Sequence, residues 1–169
     1  MAQIAFLLAA DFEDSEFRVP YDALKAKGHQ LTVLGAKAGE SVRGKKGKET
    51  IEVEAAAREK KGADYAAVVI PGGYSPDHLR TDEGVVAFVR DAARANRTIA
   101  AVCHGPSLLI EADLVRGKTV TSWPSIRTDL KNAGATVVDK QVVQDGGLIT
   151  SRNPSDLEAF SEAILKALG

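Results

Sequence analysis

Thr98-Ile-Ala-Ala-Val102 runs straight into Cys103-His104-Gly105-Pro106 and then Ser107-Leu-Leu-Ile110, and this stretch decides the fold. A continuous apolar run fits a strand covered on both faces. Pro106 suits the first turn of a helix, where its missing N–H costs nothing. A strand that enters a helix without a loop leaves the residue between them on a sharp elbow, presented for chemistry. That residue is Cys103. Gly105 permits the tight backbone approach such an elbow needs. The free N–H groups and partial positive charge of the helix N-terminus are expected to favour its thiolate.

Outward from the elbow, apolar runs alternate with amphipathic stretches. Ile4 to Ala9 and Ala66 to Ile70 read as two more buried strands, and Gln30 to Leu34 as another. Arg18 to Lys27 reads as a helix closed by Gly28. A second helix is predicted from Glu83 to Ala95, with Val85, Val86, Phe88 and Val89 on its apolar side and Arg90, Asp91 and Arg94 on its wet side. This order implies an α/β three-layer sandwich, a mostly parallel sheet with helices on both faces, in one domain of residues 1–169. Thr119–Ser122, Ala135–Val138, Gln141–Gln144 and Leu148–Ser151 read as further strands, the last two joined by a hairpin turn at Asp145-Gly146-Gly147. Pro154 opens a final helix, Ser155–Leu168. Gly39 to Val53 is rich in Gly and Lys and reads as a short β excursion at a sheet edge, where lysines discourage edge-to-edge pairing. Acidic residues flank Lys45, Lys46 and Lys48 closely, which weighs against a nucleic-acid role.

Sites in such sheets lie beyond the carboxyl ends of the strands, so the segments after Ala9, Ile70 and Val102 matter most. After Ile70 stands Pro71-Gly72-Gly73. Its glycine N–H groups, with the amide of His104, are expected to form an oxyanion hole. After Ala9 stands Asp11-Phe12-Glu13-Asp14-Ser15-Glu16. Glu13 and Glu16 are three apart, on one face of a turn. Either one is placed to hydrogen-bond the Cys103 sulfur and shuttle protons, its pKa raised by burial.

Composition excludes several classes. A net charge of −1 argues against partners held by bulk electrostatics, nucleic acid or an anionic membrane. The N-terminus lacks a basic region, and Asp11 ends its apolar run too soon for a signal peptide or membrane span. A single cysteine forms neither an internal disulfide nor a thiolate metal cluster, so a reducing cytoplasm is the simplest home. No His/Asp/Glu cluster has metal-ligand spacing and no phosphate-binding glycine loop occurs, so no metal or cofactor is expected. The three histidines are His29, His78 and His104. None follows His104, so the downstream base that a class I glutamine amidotransferase needs is missing. His29, in a turn entering a strand, reads as structural.

Phe12-Glu-Asp-Ser-Glu16 with Pro20 behind it, Gly28-His29, Pro71-Gly72-Gly73, Ala101-Val-Cys-His-Gly-Pro106, Thr121-Ser-Trp-Pro124 and Ser151-Arg152 form an ordered set spanning essentially the whole chain. The set resembles the PfpI family of intracellular cysteine peptidases and deglycases, within the larger DJ superfamily. The resemblance implies a flavodoxin-like fold and a nucleophile at Cys103. It implies a glutamate touching that sulfur, Glu16 first and Glu13 second. His104 would pair with an acid from a neighbouring subunit, here Asp77, one methylene shorter than the family's usual Glu. Trp123, at a substrate-lining position, stands where archaeal members carry tyrosine. The implied function is a cofactor-independent stress hydrolase acting on reactive carbonyls. Two other functions fit the resemblance: a peptidase with an intersubunit Cys103–His104–Asp77 triad, or a redox sensor or chaperone in which Cys103 oxidises. Implied partners are small carbonyls, glycated or peptide substrates, and further copies of the chain, as dimers or hexamers of dimers.

Overall fold

The three apolar runs become the three central strands of a seven-stranded sheet. In the computed structural model, which describes residues 1–169, these are β1 (Gln3–Leu7), β6 (Ala67–Ile70) and β7 (Thr98–Val102). The remaining strands of that sheet are β2 (Gln30–Gly35), β5 (Ala55–Ala56), β10 (Val142–Asp145) and β11 (Leu148–Ser151). Their order across the sheet is β10-β11-β7-β6-β1-β2-β5, and every pair is parallel except the β10–β11 hairpin. The central registers, Phe6 beside Val69 and Val69 beside Ala100, align apolar residues across the sheet.

Alternation along a strand sends successive side chains to opposite faces, and the core divides accordingly. Ala5, Leu7, Val68, Ile70, Ile99 and Ala101 pack on one side under α3 (Glu83–Arg94), α4 (Pro106–Glu111) and α5 (Arg127–Asn132). Ile4, Phe6, Ala67, Val69, Ala100 and Val102 pack on the other, under α1 (Asp14–Ala26) and α6 (Leu157–Leu168). The sandwich has three layers, as expected. Phe17 anchors the second face, with ring centroids 5.5 Å from Phe6 and 5.7 Å from Phe12. Fully burying a side chain of this size stabilises the fold by roughly 1.5–3 kcal/mol. No helix is long and apolar enough to cross a membrane.

Three expectations need correction. Helix α1 starts at Asp14, four residues before Arg18. Its first turn looks like a loop in sequence because it is acidic. Asp14 and Glu16 are nevertheless buried, through contacts with residues far along the chain. Gly39–Val53 is not a sheet edge. It forms a separate antiparallel pair, β3 (Ser41–Arg43) with β4 (Thr50–Glu52), and the edge is taken by β5. The tip of this hairpin is gripped by α1. The Asp14 carboxylate accepts the backbone N–H groups of Lys46, Lys48 and Glu49, each at 2.9 Å, and Arg18 binds Glu49 through two bonds of 3.0 and 2.8 Å. Finally, the predicted strands near 119 and 136 shorten to β8 (Thr119–Val120) and β9 (Thr136–Val137), a small parallel pair of their own.

The helices α2 (Ser75–Leu79) and α4 follow β6 and β7 directly. The loops that matter therefore meet at one edge of the sheet.

Candidate active site

Cys103 adopts φ +62°, a left-handed conformation that an L residue rarely takes. Such a backbone costs roughly 1–3 kcal/mol and persists only when its surroundings hold it. Two neighbouring segments do so: Cys103 N–H donates to the Ser151 carbonyl and the Cys103 carbonyl accepts from Trp123 N–H, both at 3.0 Å. Gly105 completes the elbow by its small size. A Cβ there would lie 2.6 Å from the Ile70 carbonyl and 2.9 Å from that of Val102. Only 7% of the Cys103 surface is open to solvent.

Glu16 lies beneath the sulfur, fully buried. Its Oε1 accepts the Gly72 N–H at 2.9 Å, while Oε2 receives no hydrogen bond from any N–H or O–H donor. The carboxyl group also faces the Cys103 thiol. An oxygen without a donor in a dry site is the natural seat of a proton. Burial pushes the Glu16 pKa up to about 8, and the charge of Glu13 adds to this against the pull of the Gly72 amide. Glu16 is therefore protonated at neutral pH.

The expectation that the helix N-terminus favours a Cys103 thiolate needs revision. Burial is the largest influence and pushes the thiol pKa up, and an ionised Glu16 would push it further. The amides of His104 and Gly73 pull the other way. Helix α4 is only six residues long and starts behind the elbow. With Glu16 neutral that repelling charge is absent, so the state of one group sets the pKa of the other. Cys103 and Glu16 thus titrate as a pair.

Gly72 is where these groups converge. A Cβ on it would come 2.5 Å from Glu16 Oε1, 2.9 Å from Cys103 Cβ and 3.0 Å from His104 N. Its own N–H is taken by Glu16, so Gly72 is not the oxyanion donor expected from the sequence. The amides that face the sulfur are those of Gly73 and His104.

The His104 ring reaches Cys103 Sγ through Nδ1 at 3.4 Å and Ser125 Oγ through Nε2 at 3.1 Å. Burial and the nearby Lys45 charge lower its pKa against the pull of Asp77, leaving a neutral imidazole at neutral pH. Trp123 stacks on the ring, centroids 6.4 Å apart, and is 39% exposed at the rim. Asp77 is exposed on α2, and its carboxylate forms no hydrogen bond or ion pair within the chain.

Glu13 is taken up by the hairpin lysines. Its two oxygens bind Lys45 Nζ at 2.9 Å and Lys46 Nζ at 2.8 Å. Burial pushes its pKa up, but the two ammonium groups outweigh this and hold it below the ordinary value, so it is ionised. Of the two candidate glutamates, the one facing the thiol is Glu16. No three His, Cys, Asp or Glu side chains gather closely enough to hold a metal ion.

The sequence profile of the DJ-1/PfpI family matches residues 2–167. The chain belongs to the DJ-1/PfpI family. Within it, the chain is 43% identical over 168 residues to protein/nucleic acid deglycase 2 of Escherichia coli, covering 99% of this chain and 98% of that one. It is 44% identical to general stress protein 18 of Bacillus subtilis, covering 98% and 97%. Among solved structures, Drosophila melanogaster DJ-1beta superposes with a TM-score of 0.91 at 31% identity, covering 99% of this chain and 90% of that one. A two-domain protein of Anabaena variabilis, with DJ-1/ThiJ/PfpI-like and ferritin-like domains, superposes with a TM-score of 0.99 at 43% identity. All of this chain is covered there, and it spans about half (48%) of that longer protein.

Sequence reasoning missed three members of this DJ-1/PfpI site: Ser125, Lys45 and Lys46. A serine in a turn has no signature of its own. The lysines had one, since a buried Glu13 requires a cation, but burial is invisible before the fold is known.

Proposed function

We propose that this chain is a cofactor-independent cysteine hydrolase of the deglycase and glyoxalase type, acting on reactive carbonyls and glycated amines. The observation that carries the reading is a fully buried Glu16 carboxyl facing Cys103, beside the Gly73 and His104 amides. The chain's similarity to the E. coli deglycase supports the same reaction class. In methylglyoxal, the Cys103 thiolate adds to the aldehyde carbon. A C–S bond forms, and the carbonyl π pair moves to oxygen between the two amides, where it takes the Glu16 proton. The Glu16 carboxylate then removes the proton from the former aldehyde carbon to give an enediol and returns it to the neighbouring carbon, while the hydroxyl proton of the first oxygen passes to the second, leaving the thioester of lactate. Water cleaves the thioester to lactate and regenerates the thiol. A dry site keeps Glu16 near neutrality, where one group serves as both acid and base. Trp123 lines the entry.

The test is lactate release from methylglyoxal. Wild type produces it, and Cys103→Ala lowers the rate at least about 100-fold. Equal rates for the two proteins overturn the reading.

A second arrangement is supported by one observation: the exposed Asp77 carboxylate makes no hydrogen bond or ion pair in its own chain. In a homo-oligomer, Asp77 of one copy would orient His104 of another and extend the site toward peptide cleavage. Casein hydrolysis lost on Asp77→Asn, with lactate release intact, would mark that activity as separate. The chain is proposed to work as one cytoplasmic domain of residues 1–169.

A further inference from the structure

Glu13 binds two lysines, and one carboxylate neutralises only one of them. Lys45 and Lys46 sit at the tip of the β3–β4 hairpin, and the strap Asp11–Glu13 lies between that tip and the site. On one side Asp11 N–H donates to Arg43 and Lys45 N–H to Phe12, at 2.8 and 2.9 Å. On the other side Phe12 bridges to Gly73, and Glu13 N–H donates to Gly72 at 3.2 Å. The lysines thus stand one strap away from the glycines that touch Cys103. The field of Lys45 reaches Cys103, Glu16 and His104 alike. The Lys45 ammonium has three N–H donors, of which Glu13 takes one, and its side chain is 38% exposed. The hairpin tip is held by Asp14 and by Arg18–Glu49 in addition to the two lysine–Glu13 ion pairs. This cation is therefore in place before any ligand arrives.

The geometry points to an anion subsite: Lys45, with Lys46 neutralising Glu13 beside it, receives the negatively charged oxygens of a carbonyl substrate reacting at Cys103. The substrate class so favoured is small 2-oxoaldehydes that carry a carboxylate beyond the dicarbonyl unit, over neutral dicarbonyls of similar size. The inference rests on Cys103 being the reacting nucleophile. The charged and titratable groups around it are Glu16 and Glu13 from α1, Lys45 and Lys46 from the hairpin, His104 at the elbow and Asp77 from α2. With Glu16 and His104 neutral, only the lysines offer a positive charge to an incoming anion.

The experiment alkylates Cys103 with iodoacetate and with iodoacetamide, probes of nearly equal size that differ by one charge. Each loses iodide to the same sulfur, so any change in thiol ionisation cancels in the ratio of their rates. The chain has a single cysteine, so intact mass reports that site alone. Lys45→Gln is expected to lower the iodoacetate-to-iodoacetamide ratio about fivefold, as a partly screened single charge does. Lys46→Gln lowers it in the same sense, because Glu13 then takes up Lys45. Lys45→Arg keeps the ratio within about twofold of wild type, and 0.5 M salt compresses all differences. An unchanged ratio in Lys45→Gln overturns the inference. So does an equal slowing of both probes, which would make Lys45 a partner of the sulfur alone, or a sulfur that neither probe reaches. The readout needs no turnover, so an inactive wild type on methylglyoxal would sink the proposed reaction and leave this result to be judged separately.

Discussion

Glu13 and Glu16 lie one helical turn apart, both almost wholly removed from solvent, and they end in opposite charge states. Glu13 meets two ammonium groups from the hairpin and is ionised. Glu16 meets one amide and a thiol, and burial keeps its proton on at neutral pH. Asp14, between them in sequence, is ionised for a third reason. Burial alone would raise its pKa, but backbone N–H groups of the hairpin tip bring it below the ordinary value. The lesson is that burial raises the pKa of all three carboxyls, and the donors each one meets decide whether that rise prevails. One side of this short turn becomes a structural clamp, and the other becomes an acid able to give and take a proton.

Converting Glu16 to a group that cannot titrate breaks this contrast with the largest effect. Glu16→Gln should lower lactate release at least about 100-fold, the scale of a lost general acid–base. Wild-type activity should fall as pH rises past about 8, where Glu16 loses its proton. The same substitution makes a stability prediction. The folded pKa of Glu16 is raised, so its contribution is favourable below the unfolded value of 4.5 and is lost as pH rises toward about 8. Melting temperatures of wild type should therefore decline across that window, and those of Glu16→Gln should decline less. A steeper decline in the variant would contradict the protonation state assigned here.

Gly72→Ala tests the same side sterically. Its methyl would meet Glu16 Oε1 and Cys103 Cβ at 2.5 and 2.9 Å. Overpacking of this kind costs roughly 1–3 kcal/mol, readable in the denaturant midpoint. On the clamp side, Asp14→Ala leaves three backbone N–H groups without their acceptor. The expected loss is about 1–3 kcal/mol, with faster hydrogen exchange confined to Lys46, Lys48 and Glu49. Asp14 is ionised with a lowered pKa, so that contribution is present above its unfolded value of 3.8 and disappears as pH falls further. The smallest effect is expected from Glu13→Gln. Removing its charge eases the ionisation of Glu16, so the alkaline limb of the activity profile should move to lower pH.

Much of the fold was legible because continuous apolar runs have few other uses. Ile4–Ala9, Ala66–Ile70 and Thr98–Val102 all became central strands, and the Asp145–Gly147 turn joined its antiparallel pair. The elbow was legible as well, since a strand, a cysteine and a proline-led helix in succession leave the backbone little choice; its φ of +62° shows how sharp the junction is. The start of α1 and the place of the β3–β4 hairpin were not legible. Both depend on acids that look solvated in sequence and are buried by partners 30 or more residues away, such as Lys46 on Asp14 and Gly72 on Glu16.

What the sequence by itself determined is therefore the frame: a parallel sheet, an elbow at Cys103, glycines after β6 and glutamates after β1, all at one edge. Local patterns suffice for this because strand burial, helix starts and tight turns are short-range matters of hydropathy and backbone sterics. What only the tertiary structure decided is charge. Which glutamate holds a proton, which amides face the sulfur and which lysines stand at the entry all depend on the groups brought alongside. Desolvation and Coulomb energies act through space, and residues adjacent in sequence can occupy very different surroundings.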